Sequence, residues 1–300
     1  MKHVVSVSLG SSTRDHKVTV ELLGQPIIME RIGTDGDVKR AVQLYEGLDG
    51  KVDAFGVGGA VLVFDALDRS YELSAVWKMI ENVRHTPVVD GTGFKSIVER
   101  RMMQYVEREI GYEIHPKRGM ITSAVDRLGL ALSFDEAGYD MMYADLMFTL
   151  GLPIPLRSLK SLNRAAHLIG PIARHLPMSV IYPTGEMEEV TVPKYEKWYH
   201  WAQVIGGDCN YIRRHMPTGV EGKLVVTNTT TQSDVAFFRQ RGIKYLVTST
   251  PRFEGRTFGT NVMEAAIVAL AGKGRKLTPE EMTEHIERLG LKPQIERLNP

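Results

Sequence analysis

Residues 224–248 read LVVTNTTTQSDVAFFRQRGIKYLVT. Residues 224–227 form a short apolar run of the kind that suits a strand buried on both faces. Thr229 to Ser233 is a hydroxyl-rich region able to cap a helix, and residues 232–241 carry apolar positions at helical spacing. A second apolar run follows at 245–248. The same alternation extends outward through most of the chain. Strand-like runs stand at 52–57, 87–89, 120–125, 141–148 and 178–182, and helical patterns at 74–83, 94–110, 127–137, 158–175 and 261–270. Strand alternating with helix predicts an α/β fold: a mostly parallel, doubly wound, Rossmann-like sheet, or two such lobes.

The first 32 residues differ. Residues 4–9 alternate apolar and small polar types up to Gly10-Ser11-Ser12-Thr13, and 17–23 and 26–32 flank Gly24-Gln25, which predicts an N-terminal antiparallel β meander. At the other end, Thr278-Pro279-Glu280-Glu281 predicts a capping box opening a last helix. Gly151-Leu152-Pro153-Ile154-Pro155-Leu156 holds two prolines that exclude regular helix and central strand. It suggests lobes at 1–156 and 157–300, although a stiff loop within one domain fits equally well.

With 37 basic and 36 acidic residues the formal net charge is +1, so no field of one sign favours nucleic acid or an anionic membrane. The single cysteine, Cys209, cannot form an internal disulfide, and no apolar stretch approaches the roughly 20 residues of a membrane span. These features predict a cytoplasmic protein that binds neither nucleic acid nor membrane; the apolar content permits a homodimer. Nine histidines without zinc-like spacing predict no metal site.

In open α/β sheets ligands lie beyond the carboxyl ends of the strands, so the residues following each strand are the site candidates. After 87–89 comes Asp90-Gly91-Thr92-Gly93-Phe94-Lys95-Ser96, in which two glycines allow close approach and a helix start offers free N–H groups. Phosphate is its natural guest, with Gly91, Thr92, Gly93 and Ser96 as contacts; a solvated turn is the plainer alternative, since the Walker A spacing is absent. Thr229, Thr230, Thr231 and Arg256 form a second candidate anion site, with simple helix capping as its alternative. Acid–base candidates are Lys95, Asp90, Asp126, Asp145 and Asp208, of which Asp145 lies within an apolar run. Gly56-Val57-Gly58-Gly59 resembles a dinucleotide loop but leads into an apolar stretch that reads as a strand, so a hairpin or bulge is expected there.

Val7-Ser8-Leu9-Gly10-Ser11-Ser12, Val89-Asp90-Gly91-Thr92-Gly93, Ala144-Asp145-Leu146-Met147-Phe148 and residues 255–265 (GRTFGTNVMEA) together resemble a bacterial family labelled quinate 5-dehydrogenase. The resemblance runs over nearly the whole chain. It implies an NAD- or NADP-dependent oxidoreductase acting on a hydroxylated ring carboxylate. That family's catalytic Lys/Asp motif finds no counterpart in the sequence pattern, so no catalytic residue carries over. Two further readings use the same pocket: a non-redox lyase, isomerase or transferase on a phosphorylated or carboxylated metabolite, and a regulatory protein that only binds a small polar ligand.

Overall fold

The computed structural model describes residues 1–175, 191–250, 252–253 and 256–300; the expected strand at 178–182 lies outside them. A first sheet contains β1 (Lys2–Ser8), β2 (His16–Leu22), β3 (Gln25–Gly33), β4 (Ala54–Gly58) and β7 (Val88–Val89), in the order β2-β3-β1-β4-β7. A second contains β8 (Arg118–Ile121), β9 (Asp140–Tyr143), β10 (Val204–Gly206), β11 (Leu224–Thr227), β12 (Tyr245–Thr248) and β15 (Gln294–Arg297), in the order β15-β12-β11-β10-β8-β9. All pairings are parallel except β2 with β3 and β15 with β12.

The mostly parallel α/β expectation therefore holds. The expected N-terminal antiparallel strands are present as the β2–β3 hairpin, while β1 and β3 run parallel in the register Val4↔Met29 and Ser8↔Gly33. The pattern 4–9, 17–23, 26–32 gave the strands but not their neighbours, because β2 lies at the sheet edge and β3 inserts beside β1. The change of sheet comes earlier than the two prolines suggested. Every strand of the first sheet ends by Val89, and Leu156 bridges to Tyr143 within the second body.

Among the described residues, three segments cross between the bodies. The first holds α3 (Thr92–Arg100) and α4 (Met102–Ile110), which the periodicity had merged into one helix and which part at Arg101. The second leads from β12 through the two-residue strands β13 (Arg252–Phe253) and β14 (Arg256–Thr257) to α11 (Thr260–Ala271). The third leads from α12 (Pro279–Arg288), with its expected capping box, to β15. Helix α11 packs on the first sheet although in sequence it lies between β12 and β15 of the second. Val262, Met263, Ala265, Ala266, Ile267 and Val268 are all buried, and a helix apolar on every side belongs inside a protein. Truncating Ile267 there would cost about 2–5 kcal/mol, the usual range for an aliphatic core residue.

In the second sheet the chain runs from β8 to β9 on one side and then returns to β10 on the other; in the first, β2 and β3 lie to one side of β1 and β4 to the other. The reversal lies between β1 and β4 in the first sheet and between β8 and β10 in the second. Crevices at such reversals are where α/β sheets hold ligands, and here the two face each other.

Candidate active site

A cleft of about 430 Å³ lies between the two reversal points. The first sheet contributes Ser6, Ser8, Gly10, Gly58 and Gly59; the second contributes Ser123, Asp126, Arg127, Asp208, Asn228 and Thr229. The loop Gly58-Gly59 leads to the hairpin of β5 (Val63–Asp65) and β6 (Ser70–Glu72), as expected, and not to a helix.

Lys95 and Asp126 meet here. Lys95 sits on α3, its side chain 10% exposed, and its Nζ donates to Asp126 Oδ1 at 3.0 Å. Asp126 ends the loop after β8, with its side chain 32% exposed on the cleft wall. Behind this pair runs a buried network. Arg127, 3% exposed, bonds Glu99 on α3 and reaches Asp208 Oδ2 at 3.2 Å. Burial raises the Glu99 carboxyl above its ordinary pKa, and the Arg127 charge acts against that rise. Lys95 and Glu99 are four residues apart on one helical face, so their pairing with consecutive residues Asp126 and Arg127 was latent in the sequence. Neither Glu99 nor Arg127 was among the expected site residues.

Asp145 is corrected from strand to helix. It opens α6 (Asp145–Phe148) just past β9, and its Oδ1 accepts the Val125 N–H at 2.8 Å. Burial raises its pKa to about 6, against the lowering effect of backbone donors at Val125 and Ala124. Its other oxygen is buried and has no hydrogen-bond partner among the described residues. Asp90 lines the cleft as a strut, its carboxylate accepting Leu62 N–H at 2.7 Å and Thr92 N–H at 3.0 Å. Asp208 caps α9 (Cys209–His215) through Asn210 N–H at 2.9 Å.

The expected phosphate loop does not hold as one. Gly91 has φ +88°, and a Cβ there would stand 2.5 Å from Asn261 N and 2.6 Å from Thr260 Oγ1. Its role is close packing of α3 on α11, not approach to a ligand. The free N–H groups at the start of α3 are already matched. Thr92 N–H goes to Asp90 (3.0 Å), and Phe94 N–H goes to the wholly buried carboxylate of Glu264 at 3.3 Å. Gly93 packs against that same carboxylate, and Ser96 is exposed, its hydroxyl bonded to Gly93 O.

The threonine site is divided as well. Thr229 lines the cleft, but Thr230 N–H bonds Thr257 Oγ1 (2.7 Å) and Thr231 forms a capping box with Asp234 at the start of α10 (Gln232–Gln240). The Arg256 side chain lies outside the described residues. A nicotinamide dinucleotide needs unfilled backbone donors for its pyrophosphate. At the two expected anion sites the N–H groups of Thr92, Phe94, Thr230 and Thr231 are taken by the protein's own groups, so these donors do not serve a pyrophosphate.

A family model for the domain of unknown function DUF8754 matches residues 93–298. The chain belongs to the DUF8754 family. A second model, the domain of unknown function DUF8753, matches residues 3–90, so the two meet at the Asp90–Thr92 turn where the DUF8754 chain leaves its first sheet. No curated protein matches. Solved structures similar in layout include a Mycobacterium smegmatis protein in complex with β-D-fucofuranose (10% identity, 99% of this chain and 92% of that one, TM-score 0.36). Others are the malic enzyme of Entamoeba histolytica (10%, 95% and 61%, 0.40) and a hetero-hexameric glutamate dehydrogenase of Thermus thermophilus (13%, 96% and 73%, 0.43). Dehydrogenases and sugar-binding proteins thus both occur among the neighbours of the DUF8754 chain, and the likeness stops at the layered α/β architecture. No described helix is long and apolar enough to cross a membrane.

Proposed function

We propose that the cleft is an active site that binds a small hydroxylated carboxylate and removes a proton from it. The observation that carries this reading is the Lys95–Asp126 pair, 3.0 Å apart in the cleft between two sheet reversals. In the proposed reaction the proton leaving the ligand goes to the second oxygen of Asp126. The negative charge left on the ligand faces the Lys95 ammonium, which is held in a largely water-excluded position where such stabilisation is strong. Arg127 and Glu99 act behind the pair, fixing the loop that carries Asp126.

A second reading, an NAD- or NADP-dependent oxidoreductase of the quinate type, is favoured by the sequence resemblance. The second sheet's order β9-β8-β10-β11-β12 is the flavodoxin-like doubly wound order, not the dinucleotide-binding one, and lends it no further support. It keeps Asp126 as the acceptor of the hydroxyl proton.

The test is a thermal-shift and calorimetric screen of hydroxylated carboxylates, including ring acids, with each nicotinamide nucleotide added in turn. At least one acid should raise the unfolding midpoint, and Lys95→Met should remove the effect. Equal binding by Lys95→Met would sink the proposed role of the pair. A shift with a reduced or oxidised nicotinamide would select the second reading, and none at saturating concentration would dismiss it.

A further inference from the structure

The cleft has two unlike halves. Its floor, at the strand ends, carries the charged and hydroxyl groups already described. Its far wall is α7 (Leu159–Ala173), capped by Ser158. The residues of α7 on the cleft are Leu162, Ala165, Ala166, Ile169, Gly170 and Ala173. Their spacing of three and four places them on one helical face, and that face presents no polar side chain. Val61, Phe64 and Leu73 of the first body stand on the cleft as well.

Packing alone does not account for this wall. Ala166 and Gly170 are small because Tyr71 packs on them, but Ala165 and Ala173 leave space beside the cleft where a core helix would place larger side chains. Ala165, Ile169 and Ala173 remain partly exposed. The wall is also fixed in place. Leu67 N–H donates to Asn163 Oδ1 at 2.9 Å, Asp68 Oδ1 accepts from Asn163 Nδ2 at 3.1 Å and lies 3.2 Å from His167 Nε2, and Ser74 N–H donates to Arg174 O at 3.2 Å. Gly170 rests on the Tyr71 ring, so closely that a Cβ would lie 2.6 Å from it. A volume of about 430 Å³, at about 30 Å³ per water-sized group, holds roughly fourteen non-hydrogen atoms, more than a three-carbon acid supplies.

We infer that the ligand is amphipathic: a hydroxylated acid whose polar end meets Lys95 and Asp126 and whose hydrocarbon part lies along α7. The inference rests on the proposed function for the polar end only. Charge at the floor commits that end to an acid or hydroxyl group, and the dry wall commits the rest to carbon.

A homologous series of straight-chain 2-hydroxy acids, from lactate to 2-hydroxyoctanoate, tests this by calorimetric titration of the intact protein. Affinity should rise about fourfold for each added methylene until the wall is covered. Ala165→Leu should move the best chain length down and Ile169→Ala should move it up. Both positions are partly exposed, so both variants should fold, and a melting curve checks that they do. Affinity independent of chain length, an unchanged optimum in both folded variants, or no binding by any member of the series would overturn the inference. A rise with chain length that persists in Lys95→Met would uphold the apolar wall and sink the proposed role of Lys95, so the two failures separate.

Discussion

The carboxylate of Glu264 accepts the Phe94 N–H at 3.3 Å, from a position with no solvent exposure on helix α11 of the second crossing segment. It occupies the place where a phosphate would sit on α3. Burial raises its pKa to about 7, with the Lys276 charge acting the other way. A carboxyl whose folded pKa lies above its unfolded value of 4.5 favours folding when protonated. Its contribution is fully present below pH 4.5 and is lost as pH rises through 7. The loss is on the order of 3 kcal/mol. Melting curves should therefore show the midpoint falling by several degrees between pH 5 and pH 8, and Glu264→Gln should flatten that slope. An equal slope in the variant would show that Glu264 is not its source.

Gly91→Ala should destabilise the protein whether or not a ligand is present. The added methyl meets Asn261 N and Thr260 Oγ1 at 2.5 and 2.6 Å, at a φ of +88° that side chains rarely adopt. Strain and overpacking together suggest roughly 2–4 kcal/mol. Chemical denaturation measures this. A phosphate-binding glycine would instead lose ligand affinity while keeping stability.

The buried Arg127–Glu99 pair supports a double-mutant cycle. Arg127→Met leaves Glu99 buried without its cation and releases Asp208 as well, at a cost of about 3–5 kcal/mol. Adding Glu99→Gln should recover part of that loss, since the uncompensated charge is gone. Urea denaturation of the four proteins would reveal the coupling, and simple additivity would refute it.

How far the sequence carried the fold can be seen in single elements. Residues 224–227 and 245–248 were legible because four consecutive buried residues leave little alternative to a parallel strand. Val204–Gly206 and Gln294–Arg297 were missed, the first for its brevity and the second because an antiparallel edge strand with two exposed ends carries too little apolar signal. Of the site, Lys95, Asp90, Asp126, Asp145, Asp208 and Thr229 do line the cleft. The Asp90–Ser96 loop misled because sequence shows which N–H groups a helix start offers but not that Glu264, 170 residues later, has taken one of them.

Asp145 gives the cleft its own pH dependence. Below a pKa of about 6 it is neutral, and its second oxygen, buried and without a partner among the described residues, can carry the proton. Above that pH it is an anion that repels a bound carboxylate. Affinity for a hydroxylated acid should accordingly weaken as pH rises from 5 to 7, by up to about tenfold, the factor that corresponds to 1.4 kcal/mol. Asp145→Asn cannot ionise and should bind with little change over that range. The Asn side chain keeps an oxygen for the Val125 N–H, so the loop that bears Asp126 should hold its shape. Calorimetric titrations at the two pH values, wild type against variant, decide the matter; a wild-type affinity that is flat from 5 to 7 would remove Asp145 from the site's electrostatics and leave Lys95 and Asp126 to account for it.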